Sequence, residues 1–524
     1  MSESILYNRR ALIEQLDDRK IWDVLVIGGG ATGLGVALDA ALRGLSVVLF
    51  EQHDFAKGTS SRSTKLIHGG VRYLGQGQLK LVYSALHERN LLVKNAAHVV
   101  HSQSFIIPCY TVFDVIKYSA GLRMYDLLAG SFGLGRSRFI SRKKISERLP
   151  NVKLNGLKGG VEYFDGQFDD ARLAINIAQT AIENDAVMLN YFKVDGLLKD
   201  NEKVIGVKVT DTETGKAVTV RANSVINATG VFVDDILKMD EPASEKTVRP
   251  SQGVHLVIDK KFMDSNSAML IPKTDDGRVL FAVPWHEHLL VGTTDTLMEK
   301  NSMEPIAQDA EISFILDTIN KFLVNGPGKK DVKSVFAGLR PLAASSDKNK
   351  STKELSRDHK LFKSRSGMIT ITGGKWTTYR KMAEETVDLA IENTGASDIK
   401  SKTASTGIHG LRKPSKNRLS IYGTDEDLII GLIGENASLG QKLVNGQDYT
   451  LAEVVWAIRN EMARTVEDVL ARRLRLLFLD AGAAIAAAPA VADILEAELG
   501  LGRERKQEQL DDFYKIAYHY KLNR

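Results

Sequence analysis

Residues 23–51 restrict the fold more than any other part of the chain. Asp23 opens a continuous apolar run of strand length, Val24-Leu25-Val26-Ile27, with β-branched members. Gly28-Gly29-Gly30-Ala31-Thr32-Gly33 follows. A helical stretch rich in Ala and Leu then runs from Leu34 to Arg43 and is ended by Gly44. Ser46-Val47-Val48-Leu49-Phe50 is a second strand, finishing on Glu51. The result is a βαβ unit with Gly28-x-Gly30-x-x-Gly33 at its strand-to-helix turn. The first glycine permits the tight turn, the second lets the backbone approach a pyrophosphate, and the third allows close helix–strand packing. The helix N-terminus offers N–H groups and a positive dipole to phosphates. Glu51 can accept hydrogen bonds from a ribose diol. A merely structural glycine-rich turn would not need that acid, so the full context points to a bound dinucleotide. The fingerprint alone leaves FAD and NAD both open.

The rest of the chain divides by pattern. Residues 1–20 read as a short polar arm, 55–75 as a Gly/Ser/Thr-rich stretch and 78–98 as a helix. Residues 99–160 mix short strands with a basic amphipathic segment from Ile116 to Lys144. Asp169 to Asn184 reads as a helix. Val204–Thr210 and Val218–Arg221 flank a turn and predict a hairpin, and Ser224–Asn227 is a strand running into Ala228-Thr229-Gly230. Alternation over 250–296 predicts an antiparallel sheet. Residues 367–373 form a short strand leading to Gly373-Gly374 and a helix through 393. From about 400 strand signals disappear, and Val454, Ile458, Met462, Val466, Val469 and Leu470 recur at helical spacing.

Composition removes several classes of function. A length of 524 residues suggests about three domains at roughly 150 residues each. With 43% hydrophobic and 26% charged residues the chain is neither disordered nor collagenous. Cys109 is the one cysteine, so no intrachain disulfide can form, and a reducing compartment is expected. Its apolar neighbours and the lack of a CxxC partner favour a buried, inert thiol over a redox one. The first ten residues lack an apolar signal core, and no stretch approaches the roughly 20 apolar residues of a spanning helix. The net charge of +5 comes from 70 basic and 65 acidic residues mixed along the chain. That balance suits anionic small molecules or an anionic membrane surface rather than nucleic acid. No paired Cys/His spacing for a metal is present.

A hairpin followed by a strand ending in Ala-Thr-Gly resembles the adenine-side contact of glutathione-reductase-like FAD proteins, which turns the cofactor choice to FAD. Thr59-Ser60-Ser61-Arg62-Ser63-Thr64-Lys65-Leu66-Ile67-His68-Gly69-Gly70-Val71-Arg72-Tyr73-Leu74 closely resembles a segment of the FAD-dependent glycerol-3-phosphate dehydrogenases. Further resemblances follow in the same order. They are Arg249 to His255, Phe336 to Leu342, Ser356 to His359, Ile371 to Arg380 and Ala463 to Leu470. Together they cover roughly residues 20–480.

The resemblance implies an α/β fold: a glutathione-reductase-like FAD-binding domain with an antiparallel-sheet substrate cap and a C-terminal helical domain. The FAD domain would take 21–91, 160–235 and 358–395, the cap 92–159 and 236–357, and the helical domain 400–524. It implies oxidation of sn-glycerol 3-phosphate to dihydroxyacetone phosphate, with hydride leaving C2 for flavin N5 and electrons passing to a membrane quinone. Its partners would be that substrate, the quinone and the inner face of the cell membrane, contacted peripherally from the cytoplasm. A homodimer is allowed for. An oxidase that reduces oxygen, and an amine or hydroxy-acid oxidase of the same fold, are the alternatives. The oxidases carry a long cap insertion that is not seen between 296 and 360. A non-catalytic flavin sensor is argued against by the full substrate set.

That set, carried over from the family, is Arg72, Tyr73, His255, Arg340, Arg357 and Lys375. Arginine suits bidentate grip on a phosphate dianion. His255 is the candidate base or the group that orients the C2 hydroxyl, Arg340 and Lys375 the other candidate catalytic groups. An arginine beside the hydroxyl could instead stabilise the alkoxide, and a structural role for His255 stands beside these. The expected cofactor contacts are Gly28, Gly30, Gly33, Glu51, Thr59, Ser60, Ser61, Ser63, Lys65, Leu66, His68 and Gly69. Val194, Ala228, Thr229, Gly230, Gly373, Gly374, Lys375 and Thr377 complete them. The basic segment Ile116–Lys144 reads equally as a membrane-facing surface and as a cap helix with a solvated basic end.

Overall fold

The strand Ile21–Ile27 lies in the middle of a sheet whose two faces are both covered, so Val24, Leu25 and Val26 are fully buried. This is why the run is continuously apolar rather than alternating. It pairs in parallel with Val47–Glu51 on one side and Ala217–Asn227 on the other. Val187–Asn190 and Ile369–Gly373 extend the parallel order outward, and His359–Lys363 closes one edge antiparallel. The computed structural model describes residues 5–17, 19–74, 77–275, 277–344, 359–392 and 399–522. The helix Ala31–Leu42 is built from small residues on its buried side, which lets the helices Asp170–Ile182 and Tyr379–Ile391 pack closely on it. The expected hairpin forms from Lys203–Asp211 and the start of Ala217–Asn227, with Phe192–Asp200 added as a third antiparallel strand.

A second sheet of ten strands forms the cap. Its longest pairing joins Val248–Asp259 to Val332–Ala343, antiparallel, with Gly253 opposite Gly338. The sheet continues through His288–Gly292, Leu280–Trp285, Ala268–Ile271, Val100–Cys109 and Gly159–Phe168. One neighbouring pair, Ala268–Ile271 with Val100–Cys109, is parallel, so the expected antiparallel sheet is mixed at that point. The boundary expected at 160 falls inside the strand Gly159–Phe168. That strand registers along the whole of Val100–Cys109 and belongs to the cap. The chain re-enters the first sheet's territory with the helix that Asp169 caps through its side chain. Cys109 is buried against apolar neighbours, and burial pushes its thiol up to about 12.

The end of the chain is helical: Glu426–Glu435, Leu451–Asn460, Ala481–Leu499 and Arg503–Ala517. Val454, Ile458, Met462, Val466, Val469 and Leu470 are all buried, as their spacing predicts. They do not lie on one helix, however. Met462 turns the chain with φ +57°, and a separate π-helical turn follows at Asp468–Arg473. Leu470, Leu477 and Phe478 share a core with Val257, Trp285 and Phe336 of the cap.

Candidate active site

A cavity of about 540 Å³ runs between the two sheets, from the tip of Val47–Glu51 to the paired cap strands. At its first end lies the glycine fingerprint. Gly28 has φ +107°, and a Cβ on Gly33 would stand 1.9 Å from the Gly28 carbonyl oxygen, so the third glycine serves helix–strand packing as expected. Gly30 borders the cavity and caps the helix, and Ser60 Oγ accepts from Ala31 N at 2.9 Å. Both carboxylate oxygens of Glu51 are oriented by backbone donors, Gly29 N at 2.7 Å and His53 N at 2.9 Å. Each keeps a lone pair for a ribose hydroxyl. Burial pushes the Glu51 carboxyl up, and the two N–H groups oppose that shift.

The middle of the cavity is bordered by Thr59, Ser60, Ser63, Leu66 and His68 from one loop. Val194, Ala228, Thr229 and Gly230 come from the strand ends, and Gly373, Gly374, Lys375 and Thr377 from the last loop. Trp376 ties two of these loops together by donating Nε1–H to the Ser60 carbonyl at 2.8 Å. Four expected cofactor contacts do not border the cavity: Gly33, which packs on the Gly28 carbonyl, and Ser61, Lys65 and Gly69. Ser61 and Lys65 turn away from it. Lys65 Nζ meets Asp170 at 2.7 Å and the Ser61 carbonyl at 2.7 Å, because a buried ammonium needs a paired anion more than the cavity does. Gly69 instead gives its N–H to Tyr125 Oη at 3.0 Å, packed so closely that a Cβ would stand 2.4 Å from that oxygen.

The cap end holds His255 and Arg340. The two strands that carry them pair antiparallel, Ser251 opposite Arg340 and His255 opposite Phe336. Arg340 is half-buried. It donates to Thr293 Oγ1 at 3.1 Å and the Gln252 carbonyl at 3.4 Å, and lies 3.5 Å from Asp295. Gly253 gives it passage: a Cβ there would meet the guanidinium at 2.3 Å. His255 is buried, stacks on Phe336 with ring centres 5.0 Å apart, and shares a 2.9 Å hydrogen bond from Nε2 with Thr64 Oγ1. Burial, with Lys65 and Arg340 adding positive charge nearby, holds the imidazole well below its usual value, so it is neutral at neutral pH. Arg72 and Tyr73 sit on the short helix Val71–Leu74; their side chains, and all of Arg357, lie outside the described residues.

The structure also brings in residues the motifs did not single out. Thr64 and Arg62 both border the cavity. Arg62 donates to the Ala337 carbonyl at 3.2 Å and pairs with Glu304 at 2.7 Å. Behind the loop 59–65 stands a buried charge network. Asp170 accepts from Ser63, Lys65 and Arg475, and Arg475 also donates to the Ser61 carbonyl at 2.9 Å. Asp54 is shared by Arg472 and Arg473, and Arg172 pairs with Glu461. An arginine-rich run beside matching motifs was the one available signal for this seam.

Residues 23–380 match the FAD dependent oxidoreductase family. The mitochondrial glycerol-3-phosphate dehydrogenase of Arabidopsis thaliana is 40% identical over 96% of this chain and 87% of its own length. That of Mus musculus is 38% identical over 98% of this chain and 75% of its own. The chain belongs to the FAD-dependent glycerol-3-phosphate dehydrogenase family. A solved glycerol-3-phosphate dehydrogenase from Bacillus halodurans, complexed with FAD, is similar over 99% of both chains, with a TM-score of 0.81 at 29% identity. Residues 364–506 match the C-terminal domain of alpha-glycerophosphate oxidase. The cofactor of this dehydrogenase family, FAD, fits the residues present: an open cradle at Gly30, ribose acceptors on Glu51 and an elongated cavity continuing to the cap. An L-alpha-glycerophosphate oxidase from Mycoplasma pneumoniae shares the fold over 71% of this chain, with a TM-score of 0.56 at 17% identity.

Proposed function

We propose that this dehydrogenase oxidises sn-glycerol 3-phosphate at C2 to dihydroxyacetone phosphate and passes the electrons to a membrane quinone. Bound FAD supplies the hydride acceptor. The observation that carries the substrate reading is the cap end of the cavity, where Arg340 and neutral His255 face the loop of Lys375. Arg340 borders the cavity as a half-buried guanidinium anchored to Thr293 Oγ1 at 3.1 Å, and a planar, permanently charged fork suits a phosphate. A neutral imidazole serves proton removal, and a fixed cation nearby lowers the cost of the developing alkoxide. Arg72, Tyr73 and Arg357 remain part of the proposed substrate set on motif grounds. Turnover of sn-glycerol 3-phosphate by the purified protein with an artificial acceptor, measured beside peroxide release, tests this. Peroxide matching product mole for mole would replace the quinone reading with an oxidase, and equal turnover of glycerol would overturn the substrate.

A quinone in a bilayer requires the protein to reach the membrane surface. No described helix is long and apolar enough to cross a membrane, so we place the contact at the surface. The helix Val112–Ala129 supports this reading. It buries Leu122, Tyr125 and Ala129, yet leaves Phe113 72% and Leu127 82% exposed, with Val112, Ile116 and Met124 also outside. Lys117, Arg123, Arg136, Arg142, Lys143 and Lys144 are exposed on the same segment. Apolar side chains flanked by cations are what an anionic interface takes up. The Arabidopsis thaliana and Mus musculus relatives are mitochondrial by name, and the inner face of the cell membrane belongs to the proposal only.

A further inference from the structure

Oxidation of an alcohol moves two hydrogens from different atoms. The one on C2 leaves with its electron pair, and the one on oxygen leaves as a proton that a group in the wall must take. His255 is the neutral base at the cap end, but its nitrogens are not open to the cavity. Nε2 is 2.9 Å from Thr64 Oγ1, and Nδ1 is buried with no hydrogen-bond partner. Two contacts pack the ring in this orientation. Phe336 covers one face at an interplanar angle of 17°, and the Cδ2 edge lies so near Gly292 that a Cβ there would meet it at 2.4 Å. Thr64 is different. It is half-buried, borders the cavity, and holds the one hydroxyl hydrogen-bonded to the imidazole among the described residues.

We propose that Thr64 is the group that meets the C2 hydroxyl of the substrate, and that His255 acts through it. The hydroxyl proton of the substrate passes to Thr64 Oγ1 as the Thr64 proton passes to His255 Nε2. The C2–H bond breaks, its electron pair and hydrogen go to the flavin oxidant, and the C2–O bond becomes a carbonyl. Threonine is returned unchanged and the imidazole carries the released proton. Burial with Lys65 and Arg340 nearby keeps the resting imidazole neutral and makes the protonated ring short-lived, so it is reset for the next turnover. This inference rests on the alcohol oxidation proposed above. A wild-type protein inactive on sn-glycerol 3-phosphate would sink that reading first, whereas an active wild type isolates the relay.

The test compares Thr64→Val, which keeps the shape and loses the hydroxyl, with Thr64→Ser, which restores it. Flavin content and affinity for dihydroxyacetone phosphate, read from the flavin spectrum, should match wild type in both, showing an intact site. Thr64→Val should lose roughly 10²–10³-fold in kcat with little change in KM, the scale of a lost proton-transfer partner. Its kcat should rise with pH, because hydroxide must replace the relay, while wild type stays flat above neutrality. Thr64→Ser should recover most of the loss. In protein labelled with ¹⁵N-histidine, the Nε2 resonance of His255 should move in Thr64→Val and return in Thr64→Ser. A Thr64→Val enzyme within threefold of wild type overturns the relay. So does a loss with the wild-type pH profile that serine fails to restore, or an unmoved Nε2 resonance. Should Thr64→Val fail to load flavin, Thr64→Ala with the same serine rescue and pH profile decides the matter.

Discussion

The cap and the helical domain use the same side chains in opposite ways. Around the cap helix Val112–Ala129 the basic residues are exposed and stand beside exposed apolar ones. At the seam between the helical domain and the FAD domain, Arg172, Arg472, Arg473 and Arg475 are each about 2–3% exposed, and each meets a carboxylate. The seam cations are bound by their partners to one geometry. The cap cations keep their hydration and remain free to meet another surface. Arg340 lies between these cases, half-buried and 3.5 Å from Asp295. Position relative to water, not residue type, decides whether an arginine holds the fold, takes a ligand or meets a surface.

The comparison breaks first at Asp54. Asp54→Ala leaves two buried guanidinium groups without their shared anion, which should cost about 3–5 kcal/mol. Denaturant unfolding measures it, and a loss below about 1 kcal/mol would mean that Asp54 contributes little to holding the seam. Arg340→Ala should be milder and functional. A lost charge-assisted contact to phosphate is worth about 1.5–3 kcal/mol, so KM for sn-glycerol 3-phosphate should rise roughly ten- to a hundredfold with flavin content unchanged. A fall in flavin content of equal size would move Arg340 from the substrate to the fold.

Replacing Arg142, Lys143 and Lys144 together with Glu should shift unfolding by no more than about 0.5 kcal/mol, since all three are exposed. It should release the protein from anionic vesicles and slow quinone reduction while dye-linked activity stays. Unchanged vesicle binding would send the membrane face elsewhere. A pH-dependent effect is expected at His409, between Glu183 at 2.6 Å and Asp425 at 2.8 Å. Burial alone would lower its pKa, but hydrogen bonds to the two carboxylates hold it up at about 9. A raised folded value means the stabilisation is complete below about pH 6.5 and is lost as pH rises through about 9. The wild-type denaturation midpoint should fall across that window, and His409→Gln should flatten the fall.

Much of the cofactor end was legible because it is local. The strand, the three glycines and Glu51 lie within one βαβ unit, where spacing and geometry are the same thing. The motif 59–74 located the right loop but not the direction of each side chain. Lys65 follows the buried anion Asp170, which lies about a hundred residues away, and bonds the Ser61 carbonyl from there. The Thr64–His255 pair depends on a cap strand meeting a loop of the other domain, a contact that no window of sequence contains. The cap boundary was missed for a similar reason. Gly159–Phe168 is defined by its register with Val100–Cys109 rather than by its own pattern.

The path from Arg475 to the Ser61 carbonyl and Asp170 sets an order of events during synthesis. The loop 59–65 that borders the cavity is made early, but one of the cations that fix it is made some four hundred residues later. Until that segment has emerged and docked, Asp170 has only one of its two cations, Lys65, and the loop lacks its last anchor. Full anchoring of that loop is therefore a late step. The helical domain acts as a check on completeness: a nascent or truncated chain can form the nucleotide cradle, but not the seam that holds the cofactor loop in place.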